Sequence, residues 1–211
     1  MTDMETSAPL LGEPLPVELM NTVWADREGV HDALDSPDGA RAWLRAVAAR
    51  TGFMAGSDAD VPSAGEFEEP ARRLVGLRDA LRRLAAEVTG DTRPTDAHAS
   101  GAGGLGTAVA ELNDVASTVP SWSALAWTAG KTPERRTRTG GTPAAAAVSA
   151  LAEEAIALFG GEDRLRIRAC LAPGCVLYFL KDHTRREWCS TSCGNRARAA
   201  RHYRRHRGTA E

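Results

Sequence analysis

Four cysteines, Cys170, Cys175, Cys189 and Cys193, are the residues of this 211-residue chain whose type and spacing could do chemistry. They follow the pattern C-x4-C-x13-C-x3-C, two close pairs around an insert long enough for a hairpin. Structural zinc takes four tetrahedral ligands and favours thiolates, whereas a catalytic zinc keeps one position open. Four cysteines close the site, so the expected cofactor is one structural Zn2+. Two disulfides are the alternative, and a reducing compartment disfavours them. His183, His202 and His206 are spare ligands whose simpler roles face solvent or phosphate.

The elements that must position these sulfurs can be read around them. Pro173-Gly174 inside the first pair bends the chain back so that both sulfurs face one point. Residues 176–180 (VLYFL) read as a strand, 181–183 as a turn, and Trp188 leads back to Cys189. A helix over 191–207 follows, with Cys193 near its first turn. Knuckle, hairpin and helix together predict a treble-clef-like finger.

The charge is divided in the same way. The chain has a formal net charge of −2, yet residues 164–207 hold twelve Lys and Arg against Asp182 and Glu187. That segment is net basic by 10 and the rest net acidic by 12; a local field of this kind is what a polyanion meets. At 100° per residue the helix aligns Arg198, Arg201 and Arg205 within about 60° of each other. Such a stripe could enter a DNA major groove while Arg185, Arg186 and Arg204 reach the backbone. Six phosphate contacts would give a log–log salt slope of roughly −5. RNA or an acidic protein surface are the alternative partners. Ala199, Ala200 and Tyr203 are expected to pack against the finger, and Arg196, on that side, to hold the knuckle through backbone carbonyls.

The preceding 160 or so residues read as a mainly α domain with a small β element. Residues 1–16 look like a flexible arm, mobile or loosely docked, and 17–24 is an apolar segment of ambiguous type. Ser36-Pro37-Asp38 opens a helix to about Arg50 whose inner face is Ala40, Trp43, Leu44 and Val47. Residues 52–68 look like loop. Residues 70–88 form the clearest helix, with Leu74, Leu77, Leu81, Leu84 and Val88 on one face and Arg72, Arg73, Arg78, Arg82 and Arg83 elsewhere. A glycine-rich linker spans 91–104, then a helix 105–116. Residues 120–128 read as a strand or ribbon, 130–141 as a charged loop, and a last helix runs from Thr142-Pro143 to Phe159. The boundaries are therefore an arm over 1–16, a helical domain over 17–161, and the finger over 162–211.

At the second cysteine pair the run Trp188-Cys-Ser-Thr-Ser-Cys-Gly-Asn-Arg196 resembles the bacterial CGNR zinc-finger family, with Cys193-Gly194-Asn195-Arg196 as its motif and Cys170-x4-Cys175 as its first knuckle. Near the start, Glu18-Leu19-Met20-Asn21-Thr22 is similar to the D-F-x-N-T opening of the ABATE domain that usually precedes that finger, sharing the Asn-Thr pair but not the acidic and aromatic positions. Cys189-x3-Cys193 is one residue shorter than the spacing of many such fingers. The resemblance implies a stress-induced transcription regulator, with Gly194, Asn195 and Arg196 as structural motif residues.

Other chemistry has little support. Gly101 to Gly106 matches G-x-G-x-x-G, but a dinucleotide site needs a strand before it and 91–100 is polar. Trp24, Trp43, Trp122 and Trp127 are expected in the core rather than around a ligand. No Walker A, H-E-x-x-H or G-x-S-x-G motif occurs, so the chain is not expected to be an enzyme. It has no uncharged span of ~18 apolar residues and no basic leader, which predicts a cytoplasmic protein with no membrane contact. The N-terminal domain is expected to sense a ligand or to form a homodimer.

Overall fold

The structure, a computed structural model, describes residues 8–51, 64–93 and 103–207. Six helices and three separate two-stranded antiparallel hairpins make up the described chain. They run α1 (Leu15–Met20), β1 (Val23–Ala25), β2 (Val30–Asp32), α2 (Pro37–Thr51), α3 (Ala64–Thr89), α4 (Leu105–Ser117), β3 (Ser121–Ala126), β4 (Glu134–Thr139), α5 (Pro143–Gly160), a 3-10 turn (Glu162–Arg166), β5 (Ile167–Ala169), β6 (Tyr178–Leu180) and α6 (Thr191–Arg207).

The long α3 is the spine, packed against α1, α2, α4 and α5. Its leucines at 74, 77 and 81 are fully buried, as the three- and four-residue steps require. The expected inner face of α2 (Ala40, Trp43, Leu44, Val47) is buried as well. Thr142 caps α5, its hydroxyl accepting from the Ala145 amide at 3.3 Å, with Pro143 in the first helical position. Among the described helices α5 alone is long and apolar enough to cross a membrane, and half of that window is buried against the other helices. The alanine-rich face lets α4 approach closely enough for the Ser149 hydroxyl to donate to Ala116 O at 2.7 Å.

Several expectations change. The spine begins at Ala64, six residues before Pro70, which lies inside the helix; proline is favoured at a helix start but here the first turns simply precede it. Residues 134–139, expected as loop, form β4 and pair with β3 from Ser121↔Thr139 to Ala126↔Glu134. ERRTRT has no apolar alternation because both faces of this hairpin meet solvent. Trp43 is core and Trp24 is half-buried, but Trp122 and Trp127 are exposed on that hairpin. The arm is docked where it is described: Ala8 and Glu13 are buried, and Glu18 accepts from the amides of Leu11 and Glu13. Residues 1–7, 52–63 and 94–102, the last including Gly101, lie outside the described residues.

Two arginines of α3 turn inward. Arg78 pairs with Asp32 on β2 and with Asp79, and its side chain is only 1% exposed. Arg82 donates to Met20 O at 2.7 Å and to Val176 O at 3.2 Å, tying the end of α1 to the finger.

The finger is thus joined to the helical body by more than a linker. Alternation along β6 sends Tyr178 and Leu180 into the main core and Phe179 into the cluster around the cysteines. The Asn21 side chain acts as a substitute strand neighbour: its amide donates to Tyr178 O and its carbonyl accepts from Tyr178 N, both at 2.9 Å. Glu13 likewise accepts from Leu180 N at 3.0 Å. The Tyr178 hydroxyl donates to Asp91 at 2.8 Å, and Arg82 and Arg93 lie over its ring.

Burial pushes the Tyr178 phenol up to about 12, against an ordinary value of 10. A raised value means the folded state holds this proton more tightly. The Tyr178 contribution to stability is therefore complete below pH 10 and is lost as pH rises toward 12. In a Tyr203→Phe protein, where Tyr178 is the one tyrosine left, ultraviolet titration should find tyrosinate forming together with unfolding in that window. Ionisation near pH 10 without loss of structure would contradict this placement.

Candidate metal centre and basic helix

The four cysteine sulfurs converge. Cys170 and Cys175 flank a knuckle in which Cys175 N donates to Ala172 O and Cys170 N to Leu177 O, each at 2.9 Å. Gly174 supplies the positive φ of 72° that turns the chain there, a conformation costly for any residue with a Cβ. Cys189 ends the loop from β6. Cys193 stands in the first turn of α6, where Ser190 caps the helix: its hydroxyl accepts from Cys193 N at 3.2 Å and its carbonyl from Gly194 N at 3.1 Å.

All four sulfurs lie within 4.8 Å of one another and are buried free thiols. Tetrahedral Zn–S bonds of ~2.3 Å place sulfurs ~3.8 Å apart. The Cys175–Cys189 and Cys189–Cys193 separations are 3.8 and 3.5 Å, far from the ~2.05 Å of a disulfide. The donor set fits one structural Zn2+, which would tie knuckle, loop and helix together. Among themselves the sulfurs compete for protons: hydrogen bonds from Cys175 and Cys189 hold the Cys170 thiol well below the usual thiol range. The bond to Cys170 pushes Cys175 and Cys189 upward. A metal must displace these protons, so zinc affinity falls as pH falls.

Neighbouring groups hold the sulfurs in place. Cys189 N donates to Cys170 Sγ at 3.5 Å and Arg196 to Cys193 Sγ at 3.1 Å. Arg196 therefore serves the site through a sulfur, not through the backbone carbonyls expected of it. Arg93 donates to the carbonyls of Cys170 and Cys175 at 2.9 and 2.7 Å, and its other nitrogens are clamped by Asp91. Gly194 leaves room for Trp188: a Cβ there would lie 3.1 Å from the ring, which would have to shift by a few tenths of an ångström. Asn195 accepts from the Arg198 guanidinium.

The basic residues divide into two groups. Arg185, Arg198, Arg201, Arg204 and Arg205 are exposed. Arg186 is not available for a polyanion in this arrangement. It pairs with buried Glu13, donates to Leu180 O at 3.1 Å and Cys189 O at 3.2 Å, and lies over the Phe179 ring. Its role is to join finger and arm. The packed stripe of α6 is Cys193, Ala197 and, partly, Ala200, so the helix is rotated from the expected face. Ala199 is exposed and Tyr203 is 71% exposed, because α6 has by then left the body of the finger. Glu13, Asp91 and Arg93 carried no signal in the sequence, since their partners in the finger lie 77 to 173 residues away.

Two family models match the chain. Residues 13–162 match ABATE, described as "Putative stress-induced transcription regulator", and residues 166–206 match the CGNR zinc finger. No curated protein matches the chain. The first match alone spans well over half of the sequence, and the second contains all four cysteines. The chain belongs to the ABATE family and ends in a CGNR zinc finger.

Proposed function

We propose that this protein is a cytoplasmic, non-catalytic transcription regulator that binds duplex DNA through α6. The observation that carries the reading is the exposed stripe Arg198, Arg201 and Arg205, on a helix whose first turn is fixed by the four-cysteine centre. Guanidinium forks suit guanine edges and phosphates. Asn195 pre-orders Arg198, which reduces the entropy lost on contact. Arg185 and Arg204 reach the DNA backbone. A clamp on the helical body would bury the stripe; the finger meets that body instead through β5, β6 and Arg186. The helical domain senses a ligand or mediates dimerisation. A cleft of about 220 Å³ lined by Pro70, Arg73, Val115 and Val148 is where a small ligand would enter.

Replacing Arg198 and Arg201 together by Ala should weaken duplex binding about 30-fold or more, given ~1–3 kcal/mol for each base-reading arginine. Zinc content and melting temperature should stay unchanged. Equal affinity in the double variant would refute a reading by this stripe.

A further inference from the structure

The β3–β4 hairpin stands away from the core. Trp122, Leu125 and Trp127 are 54%, 70% and 69% exposed, and almost every residue of both strands meets solvent. Two strands alone are marginally stable in water, and an unpartnered aromatic ribbon is costly to display. It also has a definite charge. Lys131, Arg135, Arg136 and Arg138 are opposed there only by Glu134, on a domain that is otherwise acidic.

The register sorts these side chains. Trp122 lies opposite Arg138, Ala124 opposite Arg136 and Ala126 opposite Glu134, so one face carries a tryptophan, two alanines, two arginines and Glu134, with Arg136 donating to Glu134 at 3.0 Å in an exposed pair that a phosphate can displace. Leu125 and Arg135 share the other face, where Arg135 donates to the Ser123 hydroxyl at 3.0 Å. The Trp127 indole donates to Lys131 O at 3.1 Å, which fixes the ring at the tip.

We infer that this hairpin is a second DNA-binding element, a basic ribbon that enters the major groove of a duplex. The B-form major groove admits a two-stranded ribbon, whereas the deep groove of A-form RNA does not. Six-residue strands span ~20 Å, which corresponds to about six base pairs. Arg136 and Arg138 meet phosphates or guanine edges, and Trp122 covers thymine methyls or wedges at a base step. A second copy of this chain is the poorer occupant, because edge pairing would set arginine-rich strands against each other. The inference does not depend on α6.

The test uses the full-length, zinc-loaded protein and a duplex, with salt titrations of wild type, Arg136→Ala/Arg138→Ala, Trp122→Ala, and Arg198→Ala/Arg201→Ala. The hairpin arginine variant should lose about tenfold or more in affinity and about 2 from the salt slope. Trp122→Ala should lose affinity with the slope unchanged. Loss confined to the hairpin variants supports the ribbon and removes the α6 reading. If only the α6 variant loses affinity, the ribbon inference is overturned while α6 stands. A wild type that does not bind the duplex at low salt, or that prefers an acidic peptide, overturns it too.

Discussion

Replacing Cys193 by Ser is expected to eliminate zinc binding and to melt more of the protein than the finger. Structural zinc contributes ~10–16 kcal/mol of apparent binding energy in isolated fingers, and that energy is folding energy. A whole domain is stable by only ~5–15 kcal/mol. Here the metal-bound segment also carries Tyr178 and Leu180, which belong to the main hydrophobic core, and Val176, whose carbonyl holds Arg82. Releasing the knuckle would expose that core and strand the Asn21 amide, Glu13 and Arg82 in apolar surroundings. Zinc analysis should fall from one ion per chain to none, with a thermal midpoint lowered by ten degrees or more, roughly, for a chain of this size. Retained zinc and an unchanged melt would contradict the four-thiolate centre. An unchanged melt with zinc lost would contradict its coupling to the helical body.

The next largest effect is expected from Arg78→Ala. Asp32 and Asp79 face this guanidinium with side chains only 8% and 15% exposed, and Arg78 Nε donates to Asp79 at 2.9 Å. Removing the cation leaves two carboxylates unpaired in low dielectric, a change that costs about 3–5 kcal/mol. Burial already pushes the Asp79 carboxyl above its ordinary range, with Arg78 pulling it back. Without Arg78 the folded-state value of Asp79 rises further. Stability of the variant is then greatest below the unfolded carboxylate range and falls as pH rises through the folded value of Asp79. Denaturant melts should show a smaller deficit near pH 5 than near pH 8, and Asp32→Asn should recover part of it. A deficit independent of pH would mean that lost packing, not the stranded charge, dominates.

What the sequence made legible follows from how local each signal is. The zinc ligands were readable because C-x4-C and C-x3-C are short-range patterns whose chemistry has few alternatives. The helices were readable because leucines at three- and four-residue steps mark a buried face, as along α3. Arg78 and Arg82 were misplaced for a physical reason: arginine is solvated by default, and only partners far along the chain, Asp32 and the carbonyls of Met20 and Val176, make its burial tolerable. Arg186 is the same case, with Glu13 at the other end of the sequence. β4 was missed because a strand with two wet faces lacks the apolar alternation that identifies strands. Ala199 and Tyr203 were assigned to a packed face because helix periodicity gives relative angles but not which angle meets the body.

If the zinc-fixed helix presents its arginines to DNA, as proposed, duplex binding must weaken steeply with salt. The measurement is the salt dependence of duplex binding by the full-length protein, with zinc quantified in the same sample. Arg185, Arg198, Arg201, Arg204 and Arg205 are the exposed ones once Arg186 is withdrawn, and five contacts predict a log–log slope of at least about −4. Binding with such a slope, at one zinc per chain, is the predicted result. Stoichiometric zinc with no duplex binding at low salt would contradict the claim.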